Sequence, residues 1–135
     1  MTSWRIHFFR RDVRDDADGA TPALDFFEMV PVKVAAEIHA VLAAVAEAPP
    51  PAFSGGGKWE AMHGDMSGIY EIRVQGGGRN HRLFCVLDRG EDLGGPSIVC
   101  IDGLSKPPRQ AAKERDYRRV KQYVAEFQRH RTVLD

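Results

Sequence analysis

The sequence has only two cysteines, no long hydrophobic run and no net charge, with 19 basic residues set against 19 acidic ones. Each shortage excludes something. Cys85 and Cys100 both lie in apolar, strand-like runs, which reads as buried free thiols of a reducing compartment and not as a disulfide framework or a metal pair. No apolar stretch approaches the roughly 20 residues of a membrane span. The opening MTSWRIHFFRRD has no apolar run followed by small residues, so no secretory leader and no membrane partner are expected, and the expected setting is the cytoplasm. His7, His39 and His130 are scattered without metal-ligand spacing, so neither a metal nor a cofactor is expected. The glycines of AFSGGGK lack the G-x-x-x-x-G-K-[ST] pattern of a phosphate loop.

What is present fits one domain over residues 1–135. Apolar residues make up 43% and charged residues 28% of a chain long enough for a single hydrophobic core without staples. Charge is unevenly placed. Residues 1–60 hold six Lys/Arg and nine Asp/Glu, whereas residues 104–131 hold nine basic and three acidic side chains. Arg109, Lys113, Arg115, Arg118 and Arg119 crowd the start of that basic segment, a local footprint suited to a polyanion, with a merely solvated helix face as the plain alternative.

Patterning predicts an α+β arrangement. WRIHFFRR alternates as an opening strand with Trp4, Ile6 and Phe8 on one face. DVRDDADGA reads as an exposed loop, and Thr21-Pro22 as a capping hydroxyl ahead of a first-turn proline. A short helix PALDFFEMV and a longer one, with Val34, Ile38, Val41 and Val45 on one face, form a helical hairpin that Pro49–Pro51 bring to an end. Phe26, Phe27 and Met29 cannot all face one core, which makes the first helix a candidate docking face. Strands follow at 68–75, 80–88 and 97–102. A last helix starts near residue 108, with Tyr117, Val120, Val124 and Phe127 as its apolar stripe.

Register makes the central hairpin informative. Tyr70, Ile72 and Val74 must share the core face with Leu83, Cys85 and Leu87, so Glu71, Arg73, Arg82, Phe84 and Val86 share the other. Opposed like charges destabilise a sheet unless water, Glu71 or a bound anion compensates them. The outer face therefore reads as a shallow groove with two guanidiniums suited to bidentate phosphate contact, and removing both arginines is expected to relieve repulsion.

The stretch MHGDMSGIYEIRVQGGGRNHRLFCVLD, followed by IVCIDGLSKPPRQAAKERDYRRVKQY, resembles the RelE/ParE superfamily of type II toxins, and within it the phage-derived HigB-like branch. The resemblance covers residues 58–124 and rests on Gly68, the YEIR of Tyr70 to Arg73, the R-L-F of Arg82 to Phe84, and Lys106 after the last strand. It implies a RelE-like fold: an N-terminal strand and helical hairpin packed on a curved antiparallel sheet, then a C-terminal basic helix. It also implies a ribosome-dependent, metal-independent endoribonuclease that cuts mRNA. By position, Arg73, Arg82 and Lys106 match basic residues of the family. Glu71 stands where some members carry lysine, so proton transfer would fall to Glu71, to His63 or His81, to Tyr117, or to the ribosome. SKPPRQ replaces a double lysine and leaves Lys106 alone. The implied partners are ribosome, mRNA and a cognate helix-turn-helix antitoxin, a heterotetramer being one assembly the resemblance allows. The alternatives are a ParE-like gyrase poison without nuclease activity and a non-catalytic phage-derived binding domain.

Overall fold

The computed structural model describes residues 3–48 and 57–135. The proline run 49–51 and most of the glycine-rich connection after it lie outside them. In chain order the elements are β1 (Arg5–Phe9), α1 (Pro22–Met29), α2 (Val32–Glu47), β2 (Trp59–Ala61), a 3-10 turn (Gly64–Met66), β3 (Ile69–Gly76), β4 (Arg79–Asp88), β5 (Ser97–Lys106), α3 (Glu114–His130) and β6 (Val133–Leu134). All strands join one sheet in the order β2-β3-β4-β5-β1-β6.

That sheet is mixed, which corrects the expectation of an antiparallel one. β2 to β5 form an antiparallel meander, but β1 lies parallel to β5, with Arg5 beside Ser97 and Phe8 beside Cys100. Parallel neighbours need a long crossover, and the helical hairpin with the meander supplies it. β5 is thereby covered on both faces along its first half, where Ile98, Val99, Cys100 and Ile101 are fully buried. A continuous apolar run is what such a strand requires.

Both faces of the sheet carry a core, so the outer face is not open throughout. On one side Phe26, Val34, Ile38, Leu42 and Val45 pack against Ile72, Val74, Leu83, Cys85 and Cys100. Trp4, Ile6 and Phe8 join this side, as their alternation predicts. On the other, Val120 and Phe127 of α3 pack against Phe9, Phe84, Val99 and Ile101, with Tyr117 and Val124 at the margin. The 3.6-residue stripe of α3 thus points where its spacing says.

Three local expectations are also corrected. α3 starts at Glu114 and not near 108: Pro107 and Pro108 precede Arg109 at φ 66°, and the Asp116 carboxylate accepts the Lys113 N–H at 2.9 Å to fix the first turn. Pro22 does occupy the first turn of α1, but the Thr21 side chain makes no capping bond. The acidic loop is pinned to α3. Arg11 grips Glu126 through two bonds of 2.9 Å, and Arg129 reaches Asp15 at 3.3 Å.

Of the three apolar residues singled out on α1, only Met29 is open. Phe26 is buried above Gly103, where a Cβ would collide with its ring, and that contact explains a glycine inside a strand. Phe27 stacks on His39 with ring centroids 4.3 Å apart. Met29 is 85% exposed and the nearby Val32 84%.

Candidate functional site

The β3–β4 hairpin places Arg73 directly opposite Arg82 and Glu71 opposite Phe84, the register that parity demands. What sequence could not show is how the repulsion is relieved. The Glu71 carboxylate lies between the two guanidiniums, with Oε1 3.3 Å from Arg73 Nε and Oε2 3.7 Å from Arg82 Nη1. Glu71 is only 6% exposed, and its Oε2 has no hydrogen-bond partner. A buried carboxylate oxygen without a donor is uncommon, because its desolvation is then uncompensated except by Coulomb attraction.

The two arginines differ. Arg73 is half-exposed and also faces Glu60 of β2 at 3.7 Å. Arg82 is largely covered, and its Nη1 donates to the Tyr117 hydroxyl at 3.2 Å. Tyr117 is held edge-on to Phe84, with centroids 6.2 Å apart, so α3 fixes the phenol over the hairpin. Beside this group a groove of about 560 Å³ is lined by Lys58, Arg73, Gln75, Asn80 and Arg82, and also by His81 and by Glu37, which pairs with Lys58 at 3.6 Å. The strand β2, which carries Glu60 and positions Lys58, has no period-2 signal long enough to be read in advance.

Lys106 is on the same face but is engaged elsewhere. Its Nζ lies 3.0 Å from Asp116 Oδ2, the oxygen that also accepts the Lys113 N–H. Burial opposes the charge of Asp116, yet that N–H and the Lys106 ammonium outweigh it and hold the carboxyl below the usual range. A β-bulge brings Lys106 to this face. Cys100 faces Cys85 and Asp102 faces Phe84, so Ile101 is an extra residue in β5. Without it, parity from Cys100 would turn Asp102, Leu104 and Lys106 toward the helical hairpin.

The same bulge lets Asp102 meet Arg119 at 2.8 Å. Burial dominates at Asp102 and pushes its carboxyl up despite that pair. Arg119 is therefore tied down, unlike the other four basic residues singled out near it. Arg109, Lys113, Arg115 and Arg118 are exposed and form no ion pair among the described residues. Arg129 and Arg131 serve structure, the latter clamping Asp88 and Asp92 at 2.7 Å each.

The histidines make no contact with Glu71 or the two arginines, although His81 lines the neighbouring groove. His81 is buried on the opposite face, where Nε2 donates to the Gly76 carbonyl at 2.9 Å and Nδ1 meets the Ser105 hydroxyl at 2.7 Å. Both ring nitrogens are occupied, so His81 is a structural residue and not a candidate base. His63 is exposed in the connection between β2 and the 3-10 turn. Among the described residues no cluster of His, Cys, Asp or Glu is arranged to hold a metal ion, and no helix is long and apolar enough to cross a membrane.

The assembled group is thus two arginines, a buried carboxylate with one free oxygen, and a phenol whose oxygen already accepts a bond from Arg82. Guanidiniums are suited to bidentate contact with oxyanions, and carboxyl and phenol groups are among the side chains that can exchange protons. Comparison with family models, with curated proteins and with solved structures finds no match for this chain.

Proposed function

We propose that the chain is a RelE-like toxin: a metal-independent endoribonuclease that cuts mRNA on the ribosome and is held in check by a cognate antitoxin. One observation carries this reading, the Arg73–Arg82 pair closed over a Glu71 carboxylate with an unbonded oxygen. Glu71 relieves the repulsion of the two guanidiniums, and their remaining donors, those of the half-exposed Arg73 above all, suit a phosphate beside it. The resemblance in motif order, which rests on these same residues together with Gly68 and Lys106, is the other support.

In this mechanism a phosphodiester draws Arg82 away from Glu71 and opens Oε2. The ribose 2′-OH gives its proton to that oxygen as its own oxygen attacks the adjacent phosphorus. Arg73 and Arg82 stabilise the charge gathering on the non-bridging oxygens, and guanidiniums do so without risk of losing their own protons. The P–O5′ bond breaks, and the departing oxygen takes the proton of the Tyr117 hydroxyl, whose oxygen Arg82 already supports. The products are a 2′,3′-cyclic phosphate and a 5′-hydroxyl. Lys106 acts at one remove, positioning α3 and hence Tyr117 through Asp116.

A gyrase-directed poison is the second reading, favoured by the engagement of Lys106 with Asp116, which removes one cation from the substrate. Induced expression followed by mapping of mRNA 5′ ends, with DNA supercoiling assayed in parallel, separates the two. New 5′-hydroxyl ends within coding regions support the ribonuclease, and a supercoiling defect with intact mRNA supports the poison.

A further inference from the structure

The cations of the Arg73–Arg82 site are largely countered. Glu71 lies between the two guanidiniums, Glu60 faces Arg73 at 3.7 Å, and Glu37 pairs with Lys58 at 3.6 Å. Uncountered charge begins further along the hairpin. Gln75 faces Asn80 two residues from the arginines, about 7 Å away at ~3.4 Å per residue. These two amides line both the groove beside the arginines and a second depression of about 510 Å³ at the hairpin tip. The charged residues lining that depression are Arg79 and Arg109, and no acidic side chain lines it. Both are exposed, and neither has a carboxylate partner among the described residues. Arg79 is oriented by the Ser105 carbonyl, which accepts from its Nη2 at 3.2 Å. Arg109 is held in the left-handed region at φ 66°, a position that glycine would occupy without strain.

We propose that Arg79 and Arg109 form a second phosphate subsite, which holds the phosphodiester next to the scissile one on a single RNA strand. It rests on the ribonuclease reading and names how that substrate is anchored. A guanidinium without a counter-ion takes up a phosphate without first giving up an ion pair, whereas Arg82 must part from Glu71. Once the neighbouring phosphate is held, the encounter with Arg82 becomes intramolecular. The two positions are joined by one continuous lining, and the amides of Gln75 and Asn80 between them suit a polar nucleoside.

The test uses the full chain and 2′-O-methyl uridine di- and trinucleotides carrying an uncharged fluorophore, followed by fluorescence anisotropy. Their methylated 2′ oxygens have no proton to lose, so neither is cut. The trinucleotide, with two phosphates, should bind at least fivefold more tightly than the dinucleotide, with one. Its log affinity should also fall more steeply with log salt, by about 0.7. Arg79→Ala/Arg109→Ala should reduce the trinucleotide advantage below twofold and remove the extra slope, with an unchanged circular dichroism spectrum. Absence of saturable trinucleotide binding at 1 mM protein, or an advantage undiminished in the double variant, would overturn the proposal. So would displacement of the trinucleotide by hexaglutamate at a lower concentration and equal ionic strength, which would assign the surface to an acidic peptide. Induced expression separates the two failures. Intact mRNA with the wild type removes the ribonuclease reading, whereas undiminished cutting by Arg79→Ala/Arg109→Ala with an unchanged trinucleotide advantage removes the subsite alone.

Discussion

At the scale of single residues, the central feature is a carboxylate caught between two guanidiniums. From the sequence alone, removing Arg73 and Arg82 relieves a repulsion. With Glu71 buried between them, the sign reverses. Arg73→Ala/Arg82→Ala should cost about 3 kcal/mol, because it leaves a buried charge without a partner. Adding Glu71→Leu to that double variant should recover most of the loss, since an apolar side chain beside Phe84 and Ile69 needs no counter-ion. Arg73→Ala alone should cost less than about 1 kcal/mol, because its partners are half-exposed or shared. Urea unfolding of the four proteins checks the series. A double variant as stable as the wild type would show that Glu71 is not held by the arginines.

Among the elements, α3 depends most on charge for its place. Arg11 to Glu126 ties it to the N-terminal loop, and Arg131, in the left-handed conformation at φ 53°, ties its end to Asp88 and Asp92. Arg131 draws Asp88 and Asp92 below the usual carboxylate range, and at Glu126 burial works the other way but Arg11 and Gln122 outweigh it. Depressed folded values mean stability that is fully present above the unfolded pKa of about 4 and lost as pH falls through the folded values. Asp102, pushed up by burial, gains stability on protonation and partly offsets the loss. Arg11→Met should lower stability at pH 7 by about 3 kcal/mol by stranding Glu126, and should make the acid limb shallower. Unfolding followed from pH 7 to pH 2 reads both effects. An unchanged acid limb would mean that Glu126 does not owe its charge to Arg11.

The elements also show what the sequence made legible. Long periodic segments were readable: the stripes of α2 and α3, the alternation of β1, and the parity that sets Arg73 against Arg82. Features decided by tertiary context were not. β2 and β6 are three and two residues long and exist only because a neighbouring edge pairs with them. The parallel placement of β1 is a property of the crossover and not of RIHFF. The bulge at Ile101 leaves no mark in SIVCIDGLSK, although it decides that Lys106 faces α3. In the site, Glu71, Arg73 and Arg82 come together as expected and Tyr117 joins them, while His81 turns to the other face and Lys106 is diverted by Asp116.

For the whole molecule, the basic segment divides into structural and available charge, apart from Lys121, which is half-buried and forms no ion pair among the described residues. Lys106, Arg119, Arg129 and Arg131 are engaged in ion pairs, whereas Arg109, Lys113, Arg115 and Arg118 are exposed and form none among the described residues. If those four contact ribosomal RNA, their contribution to the slope of log affinity against log salt should be about −3, at roughly −0.7 to −0.9 per phosphate contact. Neutralising all four should flatten the slope by that amount, while Arg119→Ala should leave it unchanged and weaken folding through Asp102. Ribosome co-sedimentation across a salt series decides. A slope that responds equally to Arg119 would mean that the Asp102 pair opens on binding.

The most direct test of the central claim is to map mRNA 5′ ends, and the chemistry of the matching 3′ ends, in cells induced for the wild type and for Arg73→Ala. That variant removes an exposed guanidinium at little cost to the fold. Wild-type cuts are expected within translated mRNA, leaving 5′-hydroxyl and 2′,3′-cyclic phosphate ends, and they should be lost in a variant that is folded and present at the same level. Intact mRNA with the wild type, or cutting that persists undiminished in Arg73→Ala, would contradict that claim.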